Sequence, residues 1–417
     1  ISNGATVIVK ADGTATVVTQ AGSANPTIGS EVVFESASTT YVSTQYIGSS
    51  KVVMVYKDVT GNNYGTAVVG TISGTSISFG TPELFTLASS YHTSAYDSTN
   101  SRIVAVYRDD SNDNGTVRVA SISGTTFTWG SEVEFTTNNT SEISATFVGS
   151  GKVVIAYRDN SAGDVGKAVV GTVNPANNSI SFGSITTFES GATKYTSGTY
   201  DSVNNKVVIA YQDDGDSDYG KAVVGTVSGT SISFGSPVPF NSTGETQYIG
   251  STFDSTNNKV IVTYKDGGNN GYGTAKVGTV SGTSISFGSA VVFNSGNSAY
   301  NSPVYDSAKQ KVVVAYNDVG NSQYGTLVVG TVSGTSISFG SEYVFNSGQT
   351  DKIGVAYDST NEKVAIAYKD SGNSSYGTAV VVNATSVTTN LTAENYIGIA
   401  AEAIANGATG KITTIGG

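Results

Sequence analysis

The chain has 417 residues, 50 of them glycine and none cysteine, which excludes disulfide frameworks and thiolate metal sites. With 21 basic residues against 32 acidic the net charge is −11, and no basic stripe offsets it, so a nucleic-acid partner is not expected. No apolar run approaches the roughly 20 residues of a membrane-spanning helix, so membrane insertion is not expected either.

Residues 1–26 hold two β-rich runs around Ala11-Asp12-Gly13, a hairpin signal, and are expected to form a partial N-terminal β module. The chain opens in mid-phrase at Ile1, so an upstream segment is expected. Residues 27–34 (TIGSEVVF) match residues 338–345 (SFGSEYVF) and read as an outer strand with no repeat before it.

From there a phrase close to KVVxAYxD occurs seven times. Its tyrosine falls at Tyr56, Tyr107, Tyr157, Tyr211, Tyr264, Tyr316 and Tyr368, at intervals of 51, 50, 54, 53, 52 and 52 residues. A fixed period of this size marks a repeat architecture. The fourth copy shows the unit. A short strand a (198–201) leads into strand b (207–211), a β-branched apolar run that reads as buried on both faces. A polar loop (213–219) follows, then strand c (221–227), the tight turn Ser228-Gly229, and strand d (231–234), whose alternation suits one wet face. Four antiparallel strands cannot bury both faces alone, whereas seven such sheets around an axis can. The fold expected is all-β: a seven-bladed β-propeller over residues 27–383.

The seventh unit supplies strands a (353–357), b (363–368) and c (377–382), then the repeat stops without a d-strand. Residues 27–34 are therefore expected to complete it and close the ring, removing open sheet edges. Residues 384–417 read as a partial C-terminal α/β module. Its Ala-rich stretch 392–405 is expected to be a helix capped by Thr392 and ended by Asn406-Gly407, with a return to β over 410–417. Residues 404–409 nearly repeat residues 1–6, as if the propeller were inserted between two copies of one small module.

Residues able to do chemistry are few. His92 is the lone histidine, read as a solvated residue in the loop entering the second blade, so no nucleophile–base pair or zinc site can be completed. Asp58, Asp109, Asp159, Asp213, Asp266, Asp318 and Asp370 end the b-strands. A carboxylate in every repeat suits a turn anchor better than an acid–base pair, whose members need different environments. Asp214, Asp216 and Asp218 alternate as in a calcium loop, but the glycine comes late and no bidentate glutamate follows. No metal or cofactor is expected.

The informative set is aromatic. Five residues before the aromatic of each a-strand stand Tyr41, Tyr91, Glu142, Tyr195, Tyr248, Tyr300 and Lys352. On a propeller these positions ring one axial opening. Five tyrosines, an acid and a base, with His92 beside them, either pack the start of strand a or make a platform for sugar rings or a peptide, because tyrosine combines an apolar face with a polar tip; the charges at Glu142 and Lys352 favour the platform.

The repeat phrases KVVIAYxD and YGTAVVGTVSGTSISFGS, and the tail NLTAENYIGIAAEAIANGATGKITTIGG, resemble virion fibre or appendage proteins of tailed bacteriophages, aquatic or marine ones in particular. The resemblance covers essentially the whole chain. It implies a virion-surface, extracellular protein without catalysis, recognising a host cell-surface glycan or protein, contacting other virion proteins and forming a homo-oligomer through its flanking modules. A carbohydrate-active enzyme and a purely structural spacer are the alternatives.

Overall fold

A computed structural model of the protein describes residues 6–9, 14–17, 25–384, 396–400 and 412–414. The described residues are all-β: antiparallel strands joined by turns, with three single-turn 3₁₀ segments and no α-helix. They fall into two compact units, Ile1–Thr27 with Thr385–Gly417, and Ile28–Ala384.

The smaller unit corrects the reading of the chain ends. Its four strands run in the order Ala15–Val17, Thr6–Val9, Tyr396–Ala400, Ile412–Thr414, all antiparallel. The two ends thus share one sheet rather than forming separate modules. Tyr396–Ala400 lies inside the expected helix but is a strand. Ile397 and Ile399 alternate with Gly398 and Ala400, a period-two pattern, and strands flank it on both sides. The rest of the expected helix lies outside the described residues.

The larger unit is built from the repeats. In the fourth, strand b (Lys206–Asp213) pairs with the end of Thr186–Asp201 on one side and with strand c (Tyr219–Ser228) on the other. The outer edge of c carries Ser231–Phe234 and then Val238–Asn241. Gly229, at φ +59°, makes the tight turn between c and d. In places the outer strand of one repeat runs on unbroken into the first strand of the next, as in Val32–Gly48 and Ser336–Asp358. The repeats therefore merge into two large antiparallel sheets.

Each b-strand is buried on both faces because it feeds two cores. Val52, Met54 and Tyr56 pack toward the seventh repeat, onto Ala365, Ala367, Ala379 and Val381. Val53 and Val55 pack toward the second, onto Ile103, Ala105 and Tyr107. Apolar clusters of this kind lie between every pair of successive repeats. The orphan outer strand finds its place: Val32 pairs with Ala379, Val33 with Thr378 and Ser38 with Tyr376.

The b-strand tyrosines anchor these cores. All seven are among the largest fully buried side chains. Each packs on a phenylalanine of the preceding outer strand, from Phe34 on Tyr56 to Phe345 on Tyr368, with ring centroids 5.1–5.5 Å apart. Gly220 makes room for such a ring, since a Cβ there would lie 2.5 Å from Phe240.

Candidate ligand-binding ring

The ring positions share an unusual backbone. Tyr41, Tyr91, Glu142, Tyr195, Tyr248, Tyr300 and Lys352 all have positive φ, between 49° and 54°. Left-handed backbone is uncommon for non-glycine residues and costly for bulky ones. Its cause is a β-bulge at the same point of every repeat. In the fourth, Lys194 pairs with Gln212 and Ser197 with Ala210, so Tyr195 and Thr196 together face Tyr211. The same two-against-one shift sets the other ring residues opposite the other b-strand tyrosines. A bulge of this kind re-aims a side chain out of the sheet's regular alternation.

The first residue of each bulge, together with His92, Ile143 and Thr196, lines one cavity of about 450 Å³. The second residues (Val42, His92, Ile143, Thr196, Ile249, Asn301 and Ile353) help line an adjoining space of about 380 Å³. Around the ring, neighbours touch. Tyr41 lies 5.2 Å from Tyr91, Tyr195 5.3 Å from Tyr248, and Tyr248 4.9 Å from Tyr300, between centroids. The Lys352 ammonium sits 5.0 Å over Tyr41 and 5.1 Å over Tyr300. Glu142 Oε2 accepts the Tyr195 backbone N–H at 2.9 Å, and the Thr196 hydroxyl donates to the Glu142 carbonyl. Arg108 covers Tyr91 at 5.1 Å and Lys265 covers Tyr248 at 5.9 Å; sequence spacing gave no sign of either contact.

Burial sets the charge states. It pushes the Tyr41 and Tyr195 phenols up to about 12, with help from neighbouring tyrosines and Glu142. Burial also raises Tyr248 and Tyr300, so these four phenols are protonated at neutral pH and can donate. The Lys352 ammonium is pulled below its ordinary value by burial, against the opposing pull of Glu142.

His92 is corrected from a solvated loop residue to a buried one, 6% exposed, within the strand Ser89–Asp97. It takes a bulge position that elsewhere holds Val42, Ile143, Ile249 or Ile353, and it packs edge-on against Phe85. Burial, and then Lys57, pushes its imidazole down to about 3. Its Nε2 lies 2.9 Å from the Ser89 hydroxyl, while Nδ1 is buried without a partner.

The b-strand aspartates anchor turns. Asp58, Asp109, Asp159, Asp213, Asp266 and Asp318 each accept a backbone N–H two or three residues on, at 2.8–3.2 Å. In the alternating trio, Asp214 pairs with Lys194 at 2.8 Å and Asp216 with Lys221 at 2.7 Å. Among the described residues no three carboxylates or imidazoles gather as a metal site would require.

No family model matches the chain, and no curated protein matches it. Solved structures do. A protein of unknown function from Dyadobacter fermentans aligns at 10% identity with a TM-score of 0.52, covering 86% of this chain and 99% of that one. A chain in the crystal structure of the Mitotic Checkpoint Complex aligns at 9% identity with a TM-score of 0.56, covering 87% and 95%. At these identities the likeness concerns the fold alone, which is propeller-like.

Proposed function

We propose that residues 27–383 form a seven-bladed β-propeller closed by its N-terminal outer strand, and that the protein is a non-enzymatic fibre or appendage of a bacteriophage particle whose axial ring binds a host-surface ligand, above all a glycan. The closed ring is supported by the pairing of Val32 with Ala379 and by the core shared between the first and seventh repeats. It is also supported by first strands that adjoin in cyclic order, the seventh beside the first. The sequence phrases quoted above carry the virion assignment, with its surface location, its contacts to other virion proteins and its homo-oligomer.

One observation carries the binding role. Five tyrosines hold left-handed backbone around a single cavity, where Gly or Asn would be less strained. Backbone strain of this kind is concentrated at functional sites. Binding is favoured over hydrolysis because Glu142 is the one carboxylate among the cavity-lining residues, whereas glycoside hydrolysis ordinarily uses two.

A glycan array read alongside a reducing-sugar assay tests this: binding without turnover is expected, turnover would make it an enzyme, and neither would make it a spacer. The pair Tyr91→Ala and Tyr300→Ala should weaken array binding and host-cell attachment, since each stacked aromatic contributes about 1 kcal/mol. A stable double variant that attaches normally would place recognition elsewhere.

A further inference from the structure

The ring departs from tyrosine at two positions, and the two departures carry opposite charge. In ring order Glu142 is third and Lys352 seventh, with Tyr195, Tyr248 and Tyr300 between them on one side and Tyr41 and Tyr91 on the other. Seven positions allow no wider separation. Neither residue has an ion-pair partner among the described residues. Each is nonetheless held: Lys352 between two tyrosine faces, Glu142 by the Tyr195 N–H.

We infer that the cavity takes a zwitterionic sugar: a pyranose whose carboxylate pairs with Lys352, whose ammonium pairs with Glu142, and whose ring lies on the tyrosines. This rests on the binding role proposed above and narrows its ligand. The cavity of about 450 Å³ falls within the roughly 300–1,000 Å³ usual for small-molecule sites. A neutral sugar's hydroxyls can bond both groups but neutralise neither charge, and charge-assisted pairs are the stronger ones.

Calorimetric titration with four sugars of one ring shape tests the inference: galactose, galacturonate, galactosamine and 2-amino-2-deoxygalacturonate. The last should bind at least about tenfold more tightly than each of the others. Glu142→Gln, which keeps an acceptor for the Tyr195 N–H, should erase the preference for the ammonium. Lys352→Met should erase the preference for the carboxylate, and Lys352→Arg should retain it. Equal affinity across the four sugars overturns the inference and leaves the binding role standing. Binding of none of the four also overturns it, and the binding role then falls only if the glycan array is blank as well.

Discussion

Two sets of tyrosines face each other across every bulge that carries a ring tyrosine, and they are handled in opposite ways. Tyr211 sits on regular strand backbone, fully buried, packed on Phe188 at 5.2 Å and donating to Glu189 at 2.8 Å. Tyr195, opposite it, is half-buried at φ 50° with its ring toward a cavity. The buried set is tyrosine in all seven repeats, whereas the ring set gives way to Glu142 and Lys352. Packing demands one shape everywhere and so preserves symmetry. The single ligand proposed above would not demand seven identical contacts. One residue type thus takes two environments across each such bulge, and backbone conformation tells them apart.

The largest effect should come from removing a buried column at its seam. Deleting residues 1–34 takes away Phe34, the partner of Tyr56, and the pairings of Val32 with Ala379 and Val33 with Thr378. Loss of cooperative unfolding in calorimetry and aggregation by light scattering are expected; a deletion that melts like the parent would show that these residues do not close the unit. Next, Tyr211→Ala should cost about 3–5 kcal/mol in urea unfolding, the range for emptying a fully buried aromatic site. Tyr195→Gly, across the same bulge, should stay within about 1 kcal/mol, because relief of left-handed strain offsets the lost contacts. If both variants lose similar stability, the ring tyrosines are packing residues and the contrast fails.

The smallest effect concerns the acid beside Tyr195. A hydrogen bond shared with Asp214, and then burial, push the Asp218 carboxyl up to about 6. A raised carboxyl in the folded state means that the folded protein binds the proton more tightly than the unfolded chain. Its contribution is therefore greatest below the ordinary carboxylate range and is lost as pH rises through about 6. Between pH 4.5 and 7 the melting temperature should fall slightly more for the parent than for Asp218→Asn. Parallel pH profiles would show that the pair shares no proton.

Much of this was legible in the sequence, for physical reasons. Seven copies of KVVxAYxD give the buried strand, its two-sided core and the period. Counting back from each a-strand aromatic reached the ring residues, because the offset is fixed. The bulge itself was not legible: left-handed backbone ordinarily announces itself through Gly or Asn, and tyrosine at Tyr41, Tyr91, Tyr195, Tyr248 and Tyr300 gives no such sign. His92 was misread because its polarity suggested solvent, although Val42 and Ile249 hold the equivalent place in other repeats. In the tail, alanine content outweighed the period-two alternation of Ile397 and Ile399, and strand partners from a distant part of the chain decided the outcome.

The pairing of Val32 with Ala379 also sets a clock on biosynthesis. The strand leaves the ribosome early, and its partner is among the last segments of the unit to emerge. At roughly 5–20 residues per second the wait is on the order of 20–70 seconds. Through that interval the first part of the strand, from Val32 to Ser38, offers a bare hydrogen-bonding edge to every neighbouring nascent chain carrying the same repeat. On a polysome these are close-matched competitors, so swapped pairings between sister chains are the characteristic misassembly this topology invites.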